Sequence, residues 1–328
     1  YLLFRISQVE VRMLALWILF LLFMSLVGLV LFAAFSNKKA EQLLPPAGSF
    51  AKLGSTRLHY VDQGQGPAIV MIHGIAGNLQ NFTYGLATPL AQTHRVICID
   101  RPGYGYSKRS FNADTSLEAQ ADIIVSLLDH LQIESAVFVG HSLGGTISLA
   151  AAQRHPDRVR ALALIAPLTH LPEAHLPAFK ALDLPSPLIR FILGWTLAIP
   201  GTLYRMSLSL KIIFGPEKAP ADFAIRGGGI LALKPQTFIT ASSDLQNVRW
   251  SMPSIEEGYA GMTTPTSVLF GREDRVLSCK LNGADMTARI QGLQLTLVSG
   301  GHMLPVTQIE QSLQFVETVA GKATGLAS

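Results

Sequence analysis

"VFVGHSLGGTISLAAA", Val137 to Ala152, sets the frame for the whole chain. Val137, Phe138 and Val139 form an apolar run that stops at Gly140. His141 and Ser142 follow, then Leu143, two more glycines and a small-residue stretch of helical character. Such a run reads as a strand buried on both faces. A tight turn needs one glycine, whereas Gly140-His141-Ser142-Leu143-Gly144 places glycines two before and two after a serine, the G-x-S-x-G pattern. At a sharp strand-to-helix turn, bulkier side chains there would clash as strand and helix close on each other. The serine hydroxyl would then stand at the carboxyl end of a parallel strand, where open α/β sheets take their ligands. The N–H groups at the start of the next helix would favour negative charge there. The motif alone is equally compatible with a Gly/Ser turn without chemistry; a strand before it and a helix after it favour the first reading.

Working outward, "RLHYVDQG", "PAIVMIHG", "RVICID", "VRALALIAP", "TPTSVLFG" and "LQLTLVSG" have the character of further strands, and "LEAQADIIVSLLDHL" has helical spacing. Strands alternating with helices predict an α/β chain with a mostly parallel eight-stranded sheet and helices on both faces. The rhythm breaks over residues 167–253, which hold many prolines and apolar helical patches such as "LIRFILGWTLAIPG" but no buried-strand signature. That is too long for a loop and predicts a helical cap inserted between two strands, dividing a core over 50–166 and 254–320.

The 328 residues include 26 Lys and Arg against 22 Asp and Glu, a net charge of +4. Without a basic stripe carrying interleaved aromatics, nucleic acid is not an expected partner. Cys98 and Cys279 lie far apart with no CxxC spacing, so the expectation is two buried thiols and neither a metal nor a cofactor. Residues 13–35, "MLALWILFLLFMSLVGLVLFAAF", carry no charge. That length can cross a bilayer and exceeds the apolar core of a signal peptide. An uncleaved transmembrane anchor is expected, followed by a polar, Pro-rich linker over 36–49. Arg5 and Arg12 before the span balance Lys38 and Lys39 after it, which leaves the orientation open. The oligomeric state is also open.

A serine hydroxyl is a poor nucleophile until a base takes its proton. "SGGHMLPV" supplies His302 after the last strand, and "GREDRV" supplies Asp274 after the strand before it, to orient the imidazole. Glu273 and Asp244 are the rival acids; His155, His170 and His175 are the other histidines weighed. The backbone N–H groups of Leu143 and of Ile75, in "HGIAGN", are the candidate oxyanion donors. The order Ser142, Asp274, His302, with "HGIAGN", "DRPGYGYS", "GHSLGG", "GREDRV" and "GGHMLP" in sequence over residues 50–320, resembles the α/β-hydrolase superfamily. The chain is similar in style to its epoxide-hydrolase-like, C–C hydrolase and monoacylglycerol-lipase-like branches with a helical cap. The aspartate nucleophile of epoxide hydrolases and dehalogenases is replaced here by Ser142, and the dehalogenases' halide-binding tryptophan by Leu143. The resemblance implies a serine hydrolase forming an acyl-enzyme on carboxylic esters. Trp195 and Met206 in the cap are candidate wall residues for a hydrophobic or lipid-like ester. C–C cleavage of a β-diketone-like compound by the same residues is the alternative, and a non-catalytic ligand binder the third.

Overall fold

The apolar runs form the centre of one eight-stranded sheet: β1 (Ser49–Leu53), β2 (Thr56–Gln63), β3 (Ala68–Ile72), β4 (Arg95–Asp100), β5 (Ala136–His141), β6 (Val159–Ile165), β7 (Thr266–Gly271) and β8 (Gln294–Val298). The computed structural model describes residues 8–110, 112–171 and 177–325; Arg5 and His175 lie outside them. The strand order is β1-β2-β4-β3-β5-β6-β7-β8. Among the described residues, β2 alone of the eight strands pairs antiparallel, with β1 and with β4, and the other strand pairs are parallel.

Alternation along the strands divides the core in two. Val70, Ile72, Phe138, Leu162 and Leu164 pack on one face with α2 (Leu117–His130) and α3 (Leu143–Arg154). Ile69, Met71, Val137, Val139 and Ile165 pack on the other with α7 (Ile309–Thr324). β3 sits between β4 and β5, so the chain reverses its direction of growth there. That switch point opens a crevice at the carboxyl ends of β3 and β5.

Between β6 and β7 lie α4 (Pro187–Gly194), α5 (Ala198–Phe214), a short turn at Gly229–Leu233 and α6 (Pro235–Glu257). α6 runs through Pro253, the residue at which the sequence placed the end of the cap. Two further differences lie near the N-terminus. β1 was not singled out as a strand, because "SFAKL" is a short edge strand with little apolar signal. The expected linker over 36–49 is helical as far as Leu43: α1 (Gln8–Leu43) continues without a break, since nothing before Pro45 and Pro46 interrupts it. α1 is long and apolar enough to cross a membrane.

Candidate active site

β5 ends at His141 and α3 begins at Leu143, leaving Ser142 on the turn with φ 54° and ψ −122°. For a residue with a Cβ this backbone costs on the order of 1–3 kcal/mol and needs its surroundings to hold it. Ser142 N–H donates to the Ile165 carbonyl at 3.1 Å, and its own carbonyl accepts from Gly145 at 2.9 Å and Leu168 at 3.1 Å. The glycines supply room: a Cβ at Gly140 would come within 2.6 Å of the Gly144 carbonyl oxygen, and one at Gly144 within 2.0 Å of that of Ile72.

The loops after β7 and β8 bring Asp274 and His302 together. His302 Nδ1 lies 2.7 Å from Asp274 Oδ2. The other carboxylate oxygen accepts from the Val276 and Leu277 N–H groups at 2.7 and 3.0 Å. Burial alone would raise the Asp274 pKa; the facing imidazole and these hydrogen bonds outweigh it and hold the carboxyl below its ordinary value. Glu273 turns elsewhere, accepting from Gly300 N–H at 2.6 Å. His155 pairs with Asp122, and His170 with Thr169.

His141, read from the sequence only as part of the turn, also positions the His302 loop. Its Nε2–H donates to the His302 carbonyl at 2.9 Å, and the two rings lie 4.9 Å apart. Burial, then the charge His302 can carry, pushes the His141 pKa down to about 3. It is therefore neutral, with its one N–H committed to that carbonyl.

The loop after β3 closes the third side. A Cβ on Gly74 would fall 2.8 Å from Ser142 Cβ. Among the described residues, neither Ile75 N–H nor Leu143 N–H donates to a protein acceptor, although both residues flank Ser142. Buried hydrogen bonds fix this loop. His73 Nδ1–H donates to the Gly74 carbonyl at 2.8 Å, and its Nε2 accepts from Arg101 N–H at 3.0 Å. The Arg101 guanidinium donates to the carbonyls of His73 at 2.9 Å and Gly74 at 3.0 Å, and to Asp244 at 2.8 Å. Asp244, the rival acid on α6, is thus the counterion of Arg101, and it also accepts from Tyr104 and Gln120. Arg101 and Asp244 are both fully buried. Asp244→Ala strands that guanidinium without its counterion, and the expected loss is about 3–5 kcal/mol of stability by denaturant unfolding.

Acid sensitivity follows from the two histidines. His73 is held well below 6.5, first by burial and then by Arg101. Both His73 and His141 stay neutral in the fold and take up protons in the unfolded chain below about pH 6.5. The unfolded state then binds more protons, so stability falls as pH drops from about 6.5 toward 3. His141→Gln keeps an N–H donor without a titrating ring, and is expected to flatten that limb in thermal melts taken across this range.

Ser142 and His302 face a cavity of about 420 Å³. Ile213, Phe214, Phe223, Ile230 and Leu233 contribute to its walls, and no Asp, Glu, Lys or Arg lines it among the described residues. Met206 lines it as expected; Trp195 does not. A second lobe of about 30 Å³, walled by Leu168, Leu245 and Val248, opens beside Ser142. Arg101 and the role of His141 escaped the sequence reading; "DRPGYGYS" was the only available pointer to the first.

A model of the alpha/beta hydrolase fold matches residues 67–196. The 2-hydroxymuconate semialdehyde hydrolase of Pseudomonas sp. (strain CF600) is 40% identical over 288 residues, 85% of this chain and 95% of that protein. The dihydrolipoyllysine-residue acetyltransferase component of the acetoin cleaving system of Pseudomonas putida is 37% identical over 129 residues, 39% of this chain; only about a third of that longer protein, 34%, is spanned. Among solved structures, a bacterial membrane phospholipase A superposes with a TM-score of 0.70 over 96% of this chain and 99% of that one, at 20% identity, a likeness of fold.

Proposed function

Because this chain belongs to the α/β-hydrolase family, we propose that it is a serine hydrolase that cleaves carboxylic esters bearing a long apolar chain. One observation carries the reading. Ser142 and His302, the latter paired with Asp274, both line an apolar cavity with no charged wall residue among the described residues, beside two backbone N–H groups without protein partners.

In this mechanism Ser142 Oγ gives its proton to His302 Nε2 as the oxygen attacks the ester carbonyl. Asp274 accepts from Nδ1–H and stabilises the imidazolium. The oxyanion of the tetrahedral intermediate takes the Ile75 and Leu143 N–H bonds. His302 then protonates the departing alkoxide, leaving an acyl-Ser142 ester. A water, deprotonated by His302, attacks that acyl group and releases the acid, and the proton returns to Ser142. The chemistry needs no metal or cofactor.

The 40% identity to a 2-hydroxymuconate semialdehyde hydrolase favours a second reading, C–C cleavage by the same three residues. A muconate-type substrate carries a carboxylate, and among the described residues no Lys or Arg lines the cavity to receive it. An uncharged ester suits these walls better. We also read α1 as a membrane anchor: its side chains from Met13 to Leu26 are exposed and apolar apart from Ser25, as a bilayer would require.

The test is hydrolysis of p-nitrophenyl esters from acetate to palmitate by the full chain in detergent, beside a vinylogous β-diketone acid. The expected result is a preference for medium or long acyl chains and no C–C cleavage. Ile213→Trp, which fills part of the cavity, is expected to move the optimum to shorter chains. Cleavage of the diketone with no ester turned over would replace this reading with the second.

A further inference from the structure

We propose that the outer face of the cap, with the docked end of α1, rests on the bilayer and delivers membrane-dissolved ester to the cavity. This rests on the ester and anchor readings above and adds the surface through which substrate arrives.

The first observation is where α1 touches the domain. Ala33 and Ala40 lie seven residues apart, on one face of the helix, and are 0% and 1% exposed. α1 packs on the Gly229–Leu233 turn, which also walls the cavity through Ile230 and Leu233. A polar clamp fixes the contact. Lys234 Nζ pairs with Glu41 at 3.0 Å, donates to the Gly105 carbonyl at 2.8 Å and sits 4.4 Å from the centre of the Tyr106 ring. Tyr106 O–H donates to the Leu44 carbonyl. The apolar stretch ends at Phe35. Glu41 is six residues further, about 9 Å at 1.5 Å per residue. Ala33 is covered although it lies within that stretch. The cavity wall therefore sits at the depth where the apolar span ends.

The second observation is α5, which packs against the same turn. Its inner face turns Met206, Ser209 and Ile213 to the cavity. Its outer stripe runs from Leu197 at the N-cap through Tyr204 and Leu208, which are 55%, 89% and 59% exposed, to the exposed Lys211. That side mixes large exposed apolar side chains with Arg205 and Lys211 and carries no acid, the composition of a helix lying on a lipid surface. α4 adds Leu188 and Ile192, 66% and 48% exposed.

The third observation is charge. From Leu184 to Gly215 there is no Asp or Glu, and the only charged residues are Arg190, Arg205 and Lys211. An exposed apolar surface whose only charges are cations suits an anionic lipid surface. Continuity with the span through the Gly229–Leu233 turn selects the bilayer as occupant.

Two measurements on the full chain in phosphatidylethanolamine–phosphatidylglycerol vesicles decide the matter. The first is a nitrobenzoxadiazole label at Leu208→Cys in a Cys279→Ser background, with Glu134→Cys as reference. The Leu208 label is expected to shift to the blue and be quenched by brominated lipid, while the Glu134 label keeps its aqueous emission. The second compares wild type with the double variant Leu188→Asp, Leu208→Asp. Turnover of a long-chain ester dissolved in the vesicles is expected to fall about tenfold, with p-nitrophenyl butyrate in solution hydrolysed at the wild-type rate. A Leu208 label that stays aqueous overturns the proposal whatever the activities. So does a double variant that hydrolyses vesicle-borne ester as fast as wild type. Absence of turnover on either ester by the wild type would instead overturn the ester reading, and the label would still decide where the cap lies.

Discussion

Ser142→Ala lowers kcat for ester hydrolysis by on the order of 10⁶, with the fold intact. The size follows from what the hydroxyl supplies: without it the acyl-enzyme path is closed, and only a water near the Ile75 and Leu143 N–H groups remains to attack. Stability is expected to change little. Alanine keeps the Cβ at φ 54°, so the backbone strain and the three backbone hydrogen bonds of Ser142 stay as they are. The measurement is steady-state hydrolysis of p-nitrophenyl octanoate beside a thermal melt. Residual activity within tenfold of wild type would place the nucleophile elsewhere.

Asp274→Asn is expected to lower kcat about 10⁴-fold, and the carboxylate's partners give the reason. One oxygen accepts from two backbone N–H groups, the other from His302 Nδ1–H. An asparagine must turn its carbonyl oxygen to the two N–H donors, because its amide nitrogen cannot accept. The NH₂ then faces Nδ1 and forces the imidazole proton onto Nε2, the atom that takes the proton of Ser142 in the proposed mechanism. KM is expected to move little, since Asp274 does not line the cavity. Kinetics across pH 5–9 check this: raising the pH should not restore the rate, because the wrong tautomer persists when the ring is neutral. A drop under tenfold would show that Asp274 only packs the loop.

The central strands were legible because β3 to β6 are buried on both faces and appear as unbroken apolar runs. β1, a short edge strand, carries no such signal. Ser142, Asp274 and His302 stood out as candidates because each follows a strand in a Gly-containing turn, a local property. The G-x-x-D spacing after β7 favours Asp274 over its neighbour Glu273, and the side-chain directions agree: Asp274 faces His302, while Glu273 accepts from Gly300 N–H. The Arg101–Asp244 pair joins residues 143 apart in sequence and lies in a contact that no periodicity signals. The continuation of α1 was hidden by its polar composition from Ser36 onward. Those residues serve as a docking surface, with Ala40 and Glu41 against the cap, where a solvent-exposed connector would have had similar composition.

The most direct measurement is mass spectrometry of the full chain, mixed with p-nitrophenyl octanoate and quenched in acid within the first turnover. The account predicts one octanoyl group, carried on the peptide containing Ser142 and missing from the Ser142→Ala variant. An enzyme that releases p-nitrophenol with no acyl group on Ser142, or with one on another residue, would contradict it.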